Sequence, residues 1–410
     1  MSDHSVLRIS EHVHWVGVLD YDIVTFDIVM ETQYGTTYNA YLINGEKKAL
    51  VETVKDAFHE TFFEKIANVT DVTTIDYVIL NHTEPDHSGS LKYLLEKVPG
   101  ITVVGSGQAI NYLQEMTGKP FKSMKVKDGD TLTLGNLTLR FIGAPNLHWP
   151  DSMYTFLEEE GILFTCDSFG AHFCHEAVFN DLTGPYDDAF KYYFDVILKP
   201  FSKFMLKAIE KIRPLDIKTI CPGHGPVLRK DWKKFVDLSA QWSEEYLKTI
   251  ASGVKHVLIT YVSAYGYTGE MARHIARGIL DSSSDFTVEV IDIEKMLPGE
   301  MEEKLVRSQA LLVGSPTINQ NTLLPVYRLF SVVNPIRDKG KLAAAFGSYG
   351  WSGEAVKLIT SHLRNLKFNV PFEGMAAKFF PTNGKANDFY EFGKKFGETL
   401  LTVKAVQQDE

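Results

Sequence analysis

Asn81-His82-Thr83-Glu84-Pro85-Asp86-His87-Ser88-Gly89 places four side chains able to bind a metal within six residues. The apolar run Tyr77-Val78-Ile79-Leu80 precedes it, and a helix-like stretch from Ser90 to Leu95 follows. A loop at the mouth of a buried strand can turn several side chains toward one point. Ordinary polar turns also collect Asp and His, but here Gly89 and the apolar strand frame the cluster as a site.

Upstream, short runs alternate apolar and polar residues, as in His14–Val18 and Asn39–Ile43. Asn44-Gly45 then leads into Lys48-Ala49-Leu50-Val51, a hairpin signal, so the chain is expected to open with antiparallel strands. Helix-like segments at 56–67, 88–98 and 107–116 alternate with strands expected at 76–81, 101–105, 131–142 and 162–166. Residues 190–250 read as largely helical. This mixture suggests two sheets covered by helices. The aromatic residues between Lys230 and Ile250 recur at helical spacing and read as core-facing. Ala251-Ser252-Gly253-Val254 breaks that pattern, so two domains are expected, 1–252 and 253–410.

Beyond the break, His256–Tyr261, Val288–Asp292, Ala310–Gly314 and Ala343–Gly347 are continuous apolar strands, each followed by a helical pattern. That alternation belongs to a parallel sheet buried on both faces.

A chain of 410 residues exceeds what one core usually serves, in keeping with two domains. The net charge of −10 argues against a general nucleic-acid binder, which would show a basic face. Cys166, Cys174 and Cys221 form no C-x-x-C pair, and the start lacks an apolar signal region, so a reducing cytoplasm is expected. No run approaches the roughly 18 apolar residues of a membrane span, and no membrane partner is expected.

Three further positions stand at strand ends beside turn residues: His148 in Asn146-Leu147-His148-Trp149-Pro150, Asp167 after Phe164-Thr165-Cys166, and His224 in Pro222-Gly223-His224-Gly225. Singly, each would more often be structural. In the second half, Ser263-Ala264-Tyr265-Gly266-Tyr267-Thr268-Gly269 feeds a helix, an arrangement that offers backbone N–H groups and a positive dipole end to a phosphate. It lacks G-x-G-x-x-G, which favours a mononucleotide over a dinucleotide. Pro316-Thr317-Ile318-Asn319 and Ser348-Tyr349-Gly350-Trp351-Ser352-Gly353 follow later strands, where ligands of doubly wound sheets bind. Trp351 and Tyr349 are candidates to stack on a flat ring bound there.

The order His-x-Glu-x-Asp-His, then His, Asp and His at long spacings, with a flavin-type half behind it, resembles the flavodiiron proteins. The resemblance implies an α/β chain with an N-terminal metallo-β-lactamase-like αββα sandwich. A C-terminal flavodoxin-like, doubly wound, five-stranded parallel sheet would follow. It implies FMN at Ser263, Tyr265, Gly266, Tyr267, Thr268, Pro316, Thr317, Ile318, Asn319, Ser348, Tyr349, Gly350, Trp351 and Gly353. It also implies two iron ions, one held by His82, Glu84, His148 and a bridging Asp167, the other by Asp86, His87, His224 and the same Asp167. A carboxylate bridge sets such metals about 3.5 Å apart. His172 and His175, just past Asp167, are candidates to back the ligands.

Glu84 is the decisive letter. Zinc hydrolases of this fold typically carry His there, whereas three carboxylates with four imidazoles suit redox iron better. Tyr265 departs from flavodoxins proper, which usually have Ser or Thr at its place. The resemblance implies four-electron reduction of dioxygen to water, two-electron reduction of nitric oxide to nitrous oxide, or both. It also implies a head-to-tail homodimer, or a dimer of such dimers. The absence of C-x-x-C argues for a separate electron donor, rubredoxin or a reduced deazaflavin. The rivals are a zinc hydrolase fused to a flavodoxin domain and a plain flavin electron carrier.

Overall fold

The computed structural model describes residues 5–27, 30–251, 255–379 and 385–403. It has two compact units, Met1–Phe26 with Thr32–Leu247, and Asp27–Glu31 with Lys248–Glu410. The boundary expected between residues 252 and 253 lies outside the described residues.

The first unit stacks two sheets. One runs in order through β1 (Leu7–Arg8), β2 (Val13–Trp15), β3 (Tyr41–Asn44), β4 (Lys48–Val51), β5 (Tyr77–Leu80), β6 (Thr102–Ser106) and β7 (Lys122–Val126). It is antiparallel as far as β4 and parallel from there on. The other runs through β8 (Thr131–Thr133), β9 (Thr138–Gly143), β10 (Met153–Leu157), β11 (Ile162–Cys166) and β12 (Thr219–Pro222). Only its last pair is parallel. Alternation decides the stacking: Val13 and Trp15, Tyr41 and Ile43, and Ala49 and Val51 point into one apolar core. Leu139, Phe141, Leu157 and Phe164 enter that core from the opposite sheet.

Several expectations shift. The Asn44-Gly45 hairpin forms, but Asn44 pairs with Lys48 across a three-residue loop, and Gly45 is absent from the glycines with positive φ. The strand expected over 131–142 is a hairpin, folded back through Gly135 at φ 91°. The helical reading of 190–250 is interrupted by β12.

The second unit is one parallel sheet of β13 (Lys255–Tyr261), β14 (Phe286–Asp292), β15 (Ala310–Gly314), β16 (Leu342–Tyr349) and β17 (Met375–Lys378). Its order is β14-β13-β15-β16-β17, with helices and core clusters on both faces. That is the 2-1-3-4-5 winding of flavodoxin-type sheets, whose ligands sit beyond the carboxyl ends of the strands.

Candidate metal centre

The carboxyl ends of β4, β5, β11 and β12, together with the β9–β10 connection, share one edge of the sandwich. That edge gathers Glu52, His82–His87, His148–Asp151, Asp167 and His224. Pro85 opens the short helix Pro85–Ser88, where its missing N–H costs nothing, and the turn carries Asp86 and His87 inward. Gly89 is required there, because a Cβ would stand 2.4 Å from Pro85 O and 2.7 Å from Asp56 N. Glu52 and Cys166 take positive φ values of 62° and 46°, and Asn146 one of 65°. Non-glycine residues in this region cost about 1–3 kcal/mol each and concentrate at functional sites.

All seven expected donors converge, in two sets. Oxygen and nitrogen atoms of His82, Glu84, His148 and Asp167 lie within 4.8 Å of one another, and so do those of Asp86, His87 and His224. Asp167 joins the sets with one oxygen each. Its Oδ2 is 3.5 Å from His82 Nε2 and 3.3 Å from His148 Nε2, while its Oδ1 is 3.1 Å from His87 Nε2 and 3.6 Å from His224 Nε2. Glu84 Oε2 stands 3.2 Å from His82 Nε2 and 3.0 Å from His148 Nε2. Asp86 Oδ2 is 3.0 Å from His224 Nε2 and 3.4 Å from His87 Nε2. Despite these approaches, both Asp86 oxygens and Asp167 Oδ2 are buried without a hydrogen bond among the described residues. Buried, unbonded carboxylate oxygens facing four Nε2 atoms suit dications.

Two of the outer ring nitrogens, those of His82 and His224, have partners of their own. His82 Nδ1 is 3.3 Å from Asp151 Oδ2, which also accepts from Thr83 N and Oγ1 at 2.8 and 2.9 Å. His224 Nδ1 donates to Thr37 O at 2.6 Å. His172 is buried behind His224 with its Nδ1 3.0 Å from Thr36 Oγ1, its ring 5.3 Å from that of His224 and 4.8 Å from that of Tyr193. His175 instead turns away, its Nδ1 accepting from Ala177 N. Asp151 and Glu52 escaped sequence reasoning. Glu52's only signal was an acidic residue ending the buried strand Ala49-Leu50-Val51.

Charges in the cluster hold one another. Burial works against charged His87 and His148, yet Asp86 and Asp167 around the first, and Asp167 and Glu84 around the second, carry both imidazoles up to about 9. Burial likewise opposes charge on Asp167, but His87, His148 and His82 hold it well below the carboxylate range. Burial pushes His172 well down, assisted by His224. The centre has one open side: the side chains of His148 and Glu84 are 22% and 14% exposed, against 2% or less for His82 and Asp167.

In the second unit the expected flavin residues gather at the carboxyl ends of β13, β15 and β16: Tyr267 and Thr268 open the helix after β13, Ser348 and Tyr349 end β16, and the others lie on the connecting loops. Gly266, at φ 84°, ends the first loop and opens the helix Tyr267–Ser282. Thr268 Oγ1 lies 3.2 Å from Ser348 Oγ, Thr317 N donates to Ser348 O, and Ser263 Oγ accepts from Gly269 N. Asn319 and Gln320 are both left-handed, closing the turn Ile318–Asn321. Gly353 precedes the helix Glu354–Asn365. Tyr265 and Trp351 are 82% and 81% exposed, and Tyr349 is half-buried. Phe379, which sequence reasoning passed over, is 53% exposed at the same edge, with its N bonded to Tyr349 O. A helix N-terminus with adjacent hydroxyls and exposed rings fits a phosphate joined to a flat ring system.

Residues 36–225 match the family described as ODP family beta lactamase, and residues 259–393 match flavodoxin. The chain is 40% identical to a flavo-diiron protein of Clostridium acetobutylicum, over 96% of its own length and 99% of the relative's. It is 34% identical to a nitric oxide reductase of Moorella thermoacetica, over 96% and 98%. Its fold resembles the flavodiiron protein from Giardia intestinalis at 30% identity and a TM-score of 0.73, with 97% of each chain covered. It also resembles rubredoxin oxygen:oxidoreductase from the anaerobe Desulfovibrio gigas at 29% identity and a TM-score of 0.73, covering 97% and 98%. With relatives matched along nearly its whole length and two donor sets joined at Asp167, this chain belongs to the flavodiiron proteins.

Proposed function

We propose that the chain reduces dioxygen to water, nitric oxide to nitrous oxide, or both, at a non-haem diiron centre supplied with electrons through FMN. The observation that carries this reading is the division of Asp167 between two donor sets, in a chain that also has a flavodoxin unit. One iron would be held by His82, Glu84, His148 and Asp167, the other by Asp86, His87, His224 and the same Asp167. FMN, which residues 263–268, 316–319 and 348–353 would hold, would supply one-electron chemistry, and the iron pair would supply the site at which the gas is reduced.

The residues do the rest. Three carboxylates offset the charge of two dications and favour the ferric state. Glu84 and His148 border the open side, where a small gas approaches. Rings of Trp149 against His82, Phe26 against His224 and Phe201 against His148, at 5.1, 5.2 and 6.4 Å, give the centre apolar walls that limit water.

A head-to-tail homodimer, or a dimer of such dimers, would bring the flavin loops of one copy to the metal centre of the other and so give electrons a path between them. The donor is a separate redox partner, rubredoxin or a reduced deazaflavin; the Desulfovibrio gigas relative carries rubredoxin in its name. Three buried free thiols suit a reducing cytoplasm. None of the described helices is long and apolar enough to cross a membrane.

Stopped-flow oxidation of the reduced, iron-loaded protein by each gas tests the reading. Rapid reoxidation of flavin and iron by at least one gas is expected. Zinc without iron, accompanied by hydrolytic turnover, would overturn it.

A further inference from the structure

The four imidazoles facing the metals differ in what stands behind them. His82 has the carboxylate of Asp151 at its Nδ1, and His224 has the carbonyl of Thr37. His87 is fully buried, its Nε2 is taken by Asp167 at 3.1 Å, and its Nδ1 has no hydrogen bond among the described residues. A second orphan lies beside it. Glu52 is 1% exposed, its Oε1 accepts from Asn81 N at 3.0 Å, and its Oε2 is likewise without a partner. Glu52, His87 and Cys166 bring one donor atom each within 4.8 Å of one another.

We infer that Glu52 is the positioning residue of His87, its Oε2 accepting a hydrogen bond from Nδ1–H so that the Nε2 lone pair is turned toward the position between Asp86, His224 and Asp167 where a metal would be held. The inference rests on the diiron reading above. A neutral imidazole has one hydrogen; with Nε2 given to a metal it sits on Nδ1, where a buried donor needs an acceptor. Asp86 and Asp167 approach the ring at Nε2, whereas Glu52, with a donor atom within 4.8 Å of His87, has a buried Oε2 without a partner among the described residues. The backbone supports this pairing, since Thr53 holds His87 O through both its N and its Oγ1, at 2.8 and 2.6 Å. Consecutive residues Glu52 and Thr53 thereby hold both ends of His87, and the left-handed Glu52 is the bend that lets them do so. Each metal position then has one imidazole backed by a carboxylate: His82 by Asp151, and His87 by Glu52. Such backing fixes ring orientation and makes the imidazole a stronger donor.

Glutamine separates this role from simple packing. Glu52→Gln keeps the size but has one oxygen for two donors, Asn81 N–H and His87 Nδ1–H. The experiment titrates metal-stripped full-length protein with Co(II) against a chelator, comparing wild type, E52Q, H87N and the double variant. Wild type is expected to take two ions, and E52Q to weaken one of them by about 10–100-fold. On the H87N background, E52Q should add nothing. Wild type binding fewer than two ions would overturn the diiron reading. Two ions in wild type with E52Q unchanged, or E52Q equally harmful on the H87N background, would overturn only the role of Glu52. Nitrogen-15 NMR of histidine-labelled, zinc-loaded wild type needs no variant. A His87 Nδ1–H slow to exchange is expected, and a bare Nδ1 would refute the role even if E52Q did not fold.

Discussion

At the scale of single residues, metal and protons compete for the same nitrogens. His87 and His148 are carried up to about 9 by the carboxylates around them, above the roughly 6.5 of a free imidazole. The ion pairs this creates in the metal-free cluster are fully present below about 6.5 and are lost as pH rises through about 9. Metal affinity runs the other way, because Nε2 must lose its proton before it can bind. Chelator-competition titrations with zinc between pH 6 and 9.5 should show affinity rising with pH, by about tenfold per unit for each proton displaced, and levelling near 9. A flat profile would contradict the assignment of these two rings. The seven donors were legible in the sequence because four fall within six residues and the others sit at strand ends beside Pro, Gly or Asn. Glu52 and Asp151 were not. A single carboxylate carries no mark of the ring it will face, and Glu52 meets His87 only after β4 and β5 pair.

Among elements, close packing of two helices sets a sharp constraint. The helices Tyr267–Ser282 and Lys385–Thr402 approach through glycines: a Cβ at Gly278 would stand 1.9 Å from Tyr390 O, and one at Gly393 2.1 Å from Ile275 O. Gly278→Val should therefore force the helices apart and destabilise the second unit by about 1–3 kcal/mol. Thermal unfolding followed by circular dichroism checks it, and an unchanged midpoint would mean the backbones are not this close. Nothing in the sequence distinguishes such a contact glycine from a helix-ending one. The parallel strands of this unit were plain because both faces are buried and their runs are continuously apolar. In the first unit, β7 shows five residues of which only Val126 is buried, so it offers no apolar run to read. The run over 131–142 looked continuous because Leu132, Leu134, Leu137 and Leu139 all enter the core, although Gly135 folds the chain back between them.

On the scale of the whole molecule, exposed apolar side chains gather near both candidate centres. Tyr265, Trp351 and Phe379 stand out at the flavin loops, and Tyr21 and Val24 on the segment leading to Phe26, whose ring packs 4.4 Å from that of His172. Large exposed rings grouped in this way call for cover, and a second copy of the chain provides it in the proposed head-to-tail arrangement. Sedimentation at assay concentration should give a dimer or larger, and dilution toward monomer should lower gas reduction per chain. A fully active monomer would refute the arrangement. Two units were foreseeable from length and from the change of pattern after Ile250. Which faces meet between copies was not, since an apolar loop residue reads alike whether it covers a core, a flavin or a neighbour.

The division of donors along the chain also gives the centre a birth order. His82, Glu84, His148 and Asp167 have all been synthesised one residue past the end of β11, the last antiparallel strand of the second sheet, whereas the other position must wait for His224. Between them lies the helical crossover that returns the chain to pair β12 beside β11. Because chains emerge from the ribosome at about 5–20 residues per second, one half of the centre exists for seconds before its partner. A chain that stalls or is cut within the crossover carries a half-built site with Asp167 already in place, so a full complement of metal certifies that translation and folding reached β12.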